Sequence, residues 1–322
     1  MDDKLLKQSD LFINNRIAMR RGFLWDYASV QGVCALMWSA YQKEIDVEKI
    51  RQCKKALKDE AEVFCYLEDN AFVAAAAMLA LSDNPPYMLK KLKKLYKMMM
   101  AEGFKPTGQL LLTALILIRF HDEREFPAII KKTKHICLSL KTGPWHEMVV
   151  PADQIEAAQS TIGADVRAVM QREKQYRRLL RDEFPSLVIA ELLSSSLIID
   201  HSNEAGNVVK LLSLYATVRG ESEKIYFKYA YDYTALAVLT MVTKVPEETM
   251  TKVFEVYDYL NARQELNHLK LAQYQYFYYS AMIVAMTDIG QARYSKYTFE
   301  SDGDIFMAAS IVPLISLVIS RT

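Results

Sequence analysis

His146 and Asp153 stand seven positions apart in a stretch that also holds Gly143, Pro144 and Pro151, KTGPWHEMVVPADQ (141–154). An imidazole within reach of a carboxylate is a common way to build a general base, and an irregular loop is where such a pair can converge. The other histidines offer less. His135 and Cys137 are two apart, a spacing that points them in different directions on a helix. Asp200-His201 reads as a cap or turn, and His121, in HDERE (121–125), as a helix-end residue rather than a metal ligand. There is no His-Glu-x-x-His, no phosphate-binding P-loop, no Gly-x-Ser-x-Gly elbow and no Gly-rich dinucleotide turn. These residues lean away from enzyme chemistry and imply no cofactor or metal. The one catalytic alternative is a site near the 141–154 loop.

Binding chemistry is better represented. Lys90, Lys91, Lys93, Lys94 and Lys97 form one basic cluster; Lys131, Lys132 and Lys134 form a second. Arg172, Lys174, Arg177, Arg178 and Arg181 form a third, and Glu173 is the only acid within these three windows. The clusters recur about forty residues apart, so stacking would set them side by side as a basic stripe. Such a stripe can hold a phosphate backbone by releasing its counterions. The plainer reading is a solvated face of good helix formers, with Asp122, Glu123, Glu125, Asp182 and Glu183 near enough to offset the field. Because 40 basic residues face 39 acidic ones overall, any such field is local.

Tyrosine supplies the second binding signal. YFKYAYDY (226–233) and YQYFYYS (274–280) crowd aromatic rings into two segments one repeat apart. Tyr226, Tyr229, Tyr233, Tyr274, Tyr276, Tyr278 and Tyr279 are the candidate aromatic surface, since consecutive rings on a helix cannot all face one side. Tyrosine is enriched where proteins meet proteins, and bases stack on such rings. The competing reading is an aromatic core.

The elements that would position these residues are helices. The chain is 51% hydrophobic and 25% charged, with only ten Gly and nine Pro in 322 residues, which favours helices joined by short loops over an all-β fold. KLKKLY (91–96), KLLSLY (210–215) and KVFEVY (252–257) repeat one motif, and the position that closes it recurs at Tyr96, Ile136, Tyr176, Tyr215 and Tyr257. Around these markers apolar residues step by three and four, as at Met88, Leu92, Leu95 and Met99, the stripe of an amphipathic helix. Asn84 before Pro85, and Pro246 before Glu247 and Glu248, read as helix starts.

A more apolar segment precedes each striped one, at 71–81, 108–120, 153–160, 186–199, 230–242 and 272–286. The unit is therefore a helical hairpin, an inner buried helix followed by an outer amphipathic one, repeated about every 40 residues. That period belongs to α-solenoids of the HEAT or TPR kind. The expectation is an all-α fold of stacked helical hairpins, a single helical-repeat domain over 1–322 forming a curved superhelix, with an irregular break at 141–154.

Cys34, Cys53, Cys65 and Cys137 form no Cys-x-x-Cys pair and read as reduced thiols, hence a cytoplasmic protein. The start, MDDKLLKQSD, is polar and is not a secretory signal. The apolar stretch within 304–320 is short for a membrane span and reads as a buried terminal helix.

The segments LFINNRIAMRRGFLWDYASVQGVCALMWSAYQ, VEKIRQCKKALKDEAEVFCYLEDNAFVAAAAMLALSDNP and LKKLYKMMMAEGFKPTGQLLLTALIL resemble a bacterial family defined as a domain of unknown function, DUF4003. The resemblance would span most of the chain and implies a bacterial, cytosolic, helical protein. It also implies a His, an aromatic and paired acids near the middle. Trp145, His146 and Asp153 stand there, but Gln154 occupies the place of the second acid. The expected function is non-enzymatic: a scaffold that engages a protein or peptide partner. Nucleic acid or another polyanion on the basic stripe is the alternative, and no membrane is involved.

Overall fold

The computed structural model describes residues 1–23, 28–64, 69–140, 166–198, 204–221, 223–225, 227, 229–263, 265–266, 275–289, 304 and 307. Regular structure among them is entirely helical. In chain order the helices are α1 (Asp3–Gly22), α2 (Ala28–Ala40), α3 (Val47–Asp59), the single turn α4 (Ala61–Phe64), α5 (Asp69–Ala80), α6 (Pro85–Ala101) and α7 (Gly108–Phe120). There follow α8 (Phe126–Leu140), α9 (Val166–Leu180), α10 (Leu187–Leu197), α11 (Glu204–Gly220), α12 (Ala230–Val242), α13 (Pro246–Asn261) and α14 (Tyr276–Asp288).

Capping side chains open several of them. Asp2 accepts from the Leu5 N–H at 2.8 Å, Asp46 from Lys49 at 2.9 Å, Asn84 from Tyr87 at 3.1 Å and Thr107 from Leu110 at 3.1 Å. Each such cap is worth about 1 kcal/mol. Pro85 and Pro246 sit in the first turns of α6 and α13, as their sequence context predicts.

Two kinds of helix alternate. In α2, α10 and α14 burial is nearly continuous; every residue from Tyr276 to Thr287 is buried. In α3 only Ile50, Cys53 and Leu57 are buried, and in α13 a single stripe runs from Thr249 to Leu260. The repeating markers Tyr96, Ile136, Tyr176, Tyr215 and Tyr257 are all buried. Each marker therefore lies on the buried side of its helix, Ile136 in a small separate cluster with Cys137 and Val166. The expected apolar segment at 153–160 and the break at 141–154 lie outside the described residues, as does most of 304–320. Of that last stretch, Asp304 accepts from the Tyr41 hydroxyl at 2.7 Å and from Arg119 Nε at 3.0 Å, and Met307 is buried. No helix among the described residues is long and apolar enough to cross a membrane.

An open superhelix would hold helices from opposite ends of the described residues apart. Here they meet. α1 packs on both α13 and α14, and α2 packs on α14. Inner helices adjoin in the runs α2–α5–α7 and α10–α12–α14, while α6, α8 and α9 carry the contacts round from α7 to α10. The path of contacts is thus a complete circuit, and one hydrophobic cluster extends from Leu5 to Met307. The seam is held by the Lys4 Nζ donation to the Thr287 carbonyl and by Asp10, which accepts from Tyr259 and Arg263. Beneath them the Phe12 and Tyr279 rings lie 5.1 Å apart.

Close approach at the seam depends on Gly32, in the middle of α2. A Cβ there would collide with the Tyr279 hydroxyl. Gly32→Ala should therefore lower stability by about 1–3 kcal/mol through overpacking, outweighing the roughly 1 kcal/mol gained in helix propensity. The urea midpoint checks this, and a rise in midpoint would show the contact to be loose.

Candidate functional site

The thirteen basic residues of the expected stripe do not form one solvated row. Lys91 turns inward, buried, and donates to the Ile118 carbonyl of α7 at 2.7 Å with its ammonium 5.9 Å from the Phe126 ring centre. Arg172 is likewise buried. Lys93 pairs with Glu60, and Lys94 with Glu123 at 2.6 Å. Lys134 donates to the Glu102 carbonyl at 2.5 Å. Arg177 is held between Glu173 and Glu191, 3.3 Å from the latter, and ties α9 to α10. Seven remain exposed: Lys90, Lys97, Lys131, Lys132, Lys174, Arg178 and Arg181. Among the described residues none of these seven forms an ion pair or hydrogen bond.

The surviving charge is concentrated. Four of these seven, Lys131, Lys132, Lys174 and Arg178, lie on the adjoining helices α8 and α9, which carry eight Lys and Arg and one acid of their own, Glu173, while Glu102 and Glu191 pair with Lys134 and Arg177 from neighbouring elements. On the same two helices Leu138 and Leu179 stand 56% and 38% exposed, one repeat length apart. Sequence reasoning missed both leucines. Leu138 could have been found, because it lies two positions past the buried Ile136 and so on the opposite side of the helix.

The aromatic surface is a correction. Tyr233, Tyr276, Tyr278 and Tyr279 are buried and Tyr229 is half-buried; Tyr226 and Tyr274 lie outside the described residues. Rings meet edge to face, Tyr231 with Tyr278 at 5.6 Å and Phe227 with Phe277 at 5.1 Å. The physical reason is enclosure: α14 packs against α1, α2, α12 and α13, so it has no outward side. Burial raises the Tyr278 hydroxyl pKa well above its ordinary value, which keeps it neutral.

His146 and Asp153 lie outside the described residues. No group of three or more His, Cys, Asp or Glu among the described residues could hold a metal ion. His121 is buried beside Glu125, with Nδ1 3.6 Å from the carboxylate, and desolvation lowers its pKa despite that neighbour. A lowered histidine pKa means the unfolded chain binds a proton that the folded one resists. Stability is then complete above the ordinary value of about 6.5 and falls as pH drops below it, by up to roughly 1.4 kcal/mol per pH unit. Melting temperatures measured from pH 7 to pH 5.5 should fall less steeply in His121→Gln than in the parent; parallel slopes would remove His121 as the cause.

No curated protein and no solved structure matches the chain. The sequence profile of one family matches residues 17–312, nearly the whole length. The chain therefore belongs to the family described as "Protein of unknown function (DUF4003)".

Proposed function

We propose that this is a non-catalytic binding protein that captures an acidic, leucine-bearing protein segment on the outer face of α8 and α9. Its frame is an array of helical repeats of the HEAT or TPR kind, curled until its ends meet. The buried thiols of Cys34, Cys53 and Cys137 favour a reducing compartment, the bacterial cytoplasm.

One observation carries the reading. Lys131, Lys132, Lys174 and Arg178 stand exposed, with no ion pair among the described residues, on two adjacent helices that also expose Leu138 and Leu179. The balance of the chain elsewhere is slightly acidic, so the field of this face is distinctive and would steer an acidic partner toward it. Exposed leucines favour a polypeptide over a nucleic acid. Phosphate backbones ask for cations alone, whereas burying a leucine side chain contributes about 1.5–3 kcal/mol. An acidic amphipathic helix laid across α8 and α9 would satisfy both.

A synthetic helical peptide alternating Glu-rich and Leu-rich turns is the probe. It should bind the whole protein more tightly than poly-glutamate or single-stranded DNA of equal charge. Replacing Leu138 and Leu179 by Ser should weaken it by at least about tenfold, the equivalent of 1.4 kcal/mol. Lys131→Glu with Arg178→Glu should weaken it further and flatten its salt dependence. Tighter binding of the DNA would move the reading to nucleic acid, and binding of neither would end it.

A further inference from the structure

The polar groups that α1 buries at the seam are matched one by one, with a single exception. Asn15 donates to the Ser39 hydroxyl at 2.9 Å and to the Lys43 carbonyl at 3.0 Å, and accepts from the Ile45 N–H at 2.8 Å. Gln8 donates to the Ser39 carbonyl at 2.9 Å. Arg16, beside Asn15, is 0% exposed, yet only its Nη1 is engaged, donating to Gln31 Oε1 at 2.5 Å. Nε and Nη2 meet no acceptor among the described residues.

Those two nitrogens share one edge of the guanidinium. It is the edge that grips a carboxylate or phosphate with two parallel hydrogen bonds. Gln31 fixes the opposite side, since its own Nε2 donates to the Phe23 carbonyl at 2.6 Å and cannot swing away. Among the described residues the ionisable groups acting on Arg16 are Tyr279, Arg20 and Cys34, none of them a carboxylate. A guanidinium sealed from water without a counter-charge is among the costliest arrangements a fold can hold. Placed between α1, α2 and α14, it sits where α1 and α14 close on each other.

We propose that this seam is an oxyanion site, in which the Nε and Nη2 edge of Arg16 receives the carboxylate or phosphate group of a small ligand. The ligand supplies the missing negative charge and joins the two ends of the array, so its occupancy stabilises ring closure. The site is distinct from the α8–α9 face and does not depend on it.

The test compares melting temperatures of the full chain in chloride, acetate and inorganic phosphate at equal ionic strength. Acetate or phosphate at a hundredfold excess over its Kd should raise the wild-type value by roughly 4–7 °C relative to chloride. Whichever of the two acts shows which group the site takes. Arg16→Met removes the receiving edge and should abolish the shift. Gln31→Glu places a carboxylate against the same guanidinium, and should abolish the anion dependence while leaving the protein folded. Identical wild-type values in all three anions would overturn the proposal. So would a shift that persists in both variants, which would mark a general salt effect.

Discussion

A helix that is apolar on every side has to be surrounded, and that requirement governs this molecule. α2 and α14 are buried along nearly their whole length, so neither could end a row of helices without exposing half its surface to water. Each solves the problem for the other. The contact between them turns what would be two sticky ends into an interior, and everything outside is arranged to allow it. Gly32 leaves room for Tyr279, Phe12 packs on the same ring, and Asp10 gathers Tyr259 and Arg263 at the rim.

Much of the helical pattern is legible in the sequence. Hydrophobic periodicity located the inner and outer helices because the two kinds differ in how much of their circumference is apolar, and the markers from Tyr96 to Tyr257 fell on the buried stripe. α1 was less visible. It buries Gln8, Ser9, Asn15 and Arg16, so polar side chains interrupt the stripe that would have announced it. Closure was not legible at all. It depends on contacts of α1 and α2 with α13 and α14, segments far apart in the chain, and no local pattern announces a contact at that separation.

The candidate site divided along a similar line. Local charge density is written in the sequence, and α8 and α9 kept part of it. The partners that neutralise Lys93, Lys94 and, on α8 itself, Lys134 are not, since Glu60, Glu123 and Glu102 reach them from other elements. The tyrosines misled for a definable reason. The inference that consecutive rings must emerge somewhere assumes a helix with an outward face, and α14 has none. Arg16, in the run RIAMRR, looks like an ordinary surface residue until α2 and α14 are laid over it.

Closure also has a cost in time. The Lys4–Thr287 contact spans 283 residues of chain, and at a synthesis rate of about 5–20 residues per second, roughly 10–50 s separate the emergence of α2 from that of α14. Throughout that interval the newborn α1–α2 pair presents an apolar flank whose proper cover has not yet been made. A nascent chain of this design is therefore a natural client for whatever shields hydrophobic surface at the ribosome, and α14 is the helix that releases it.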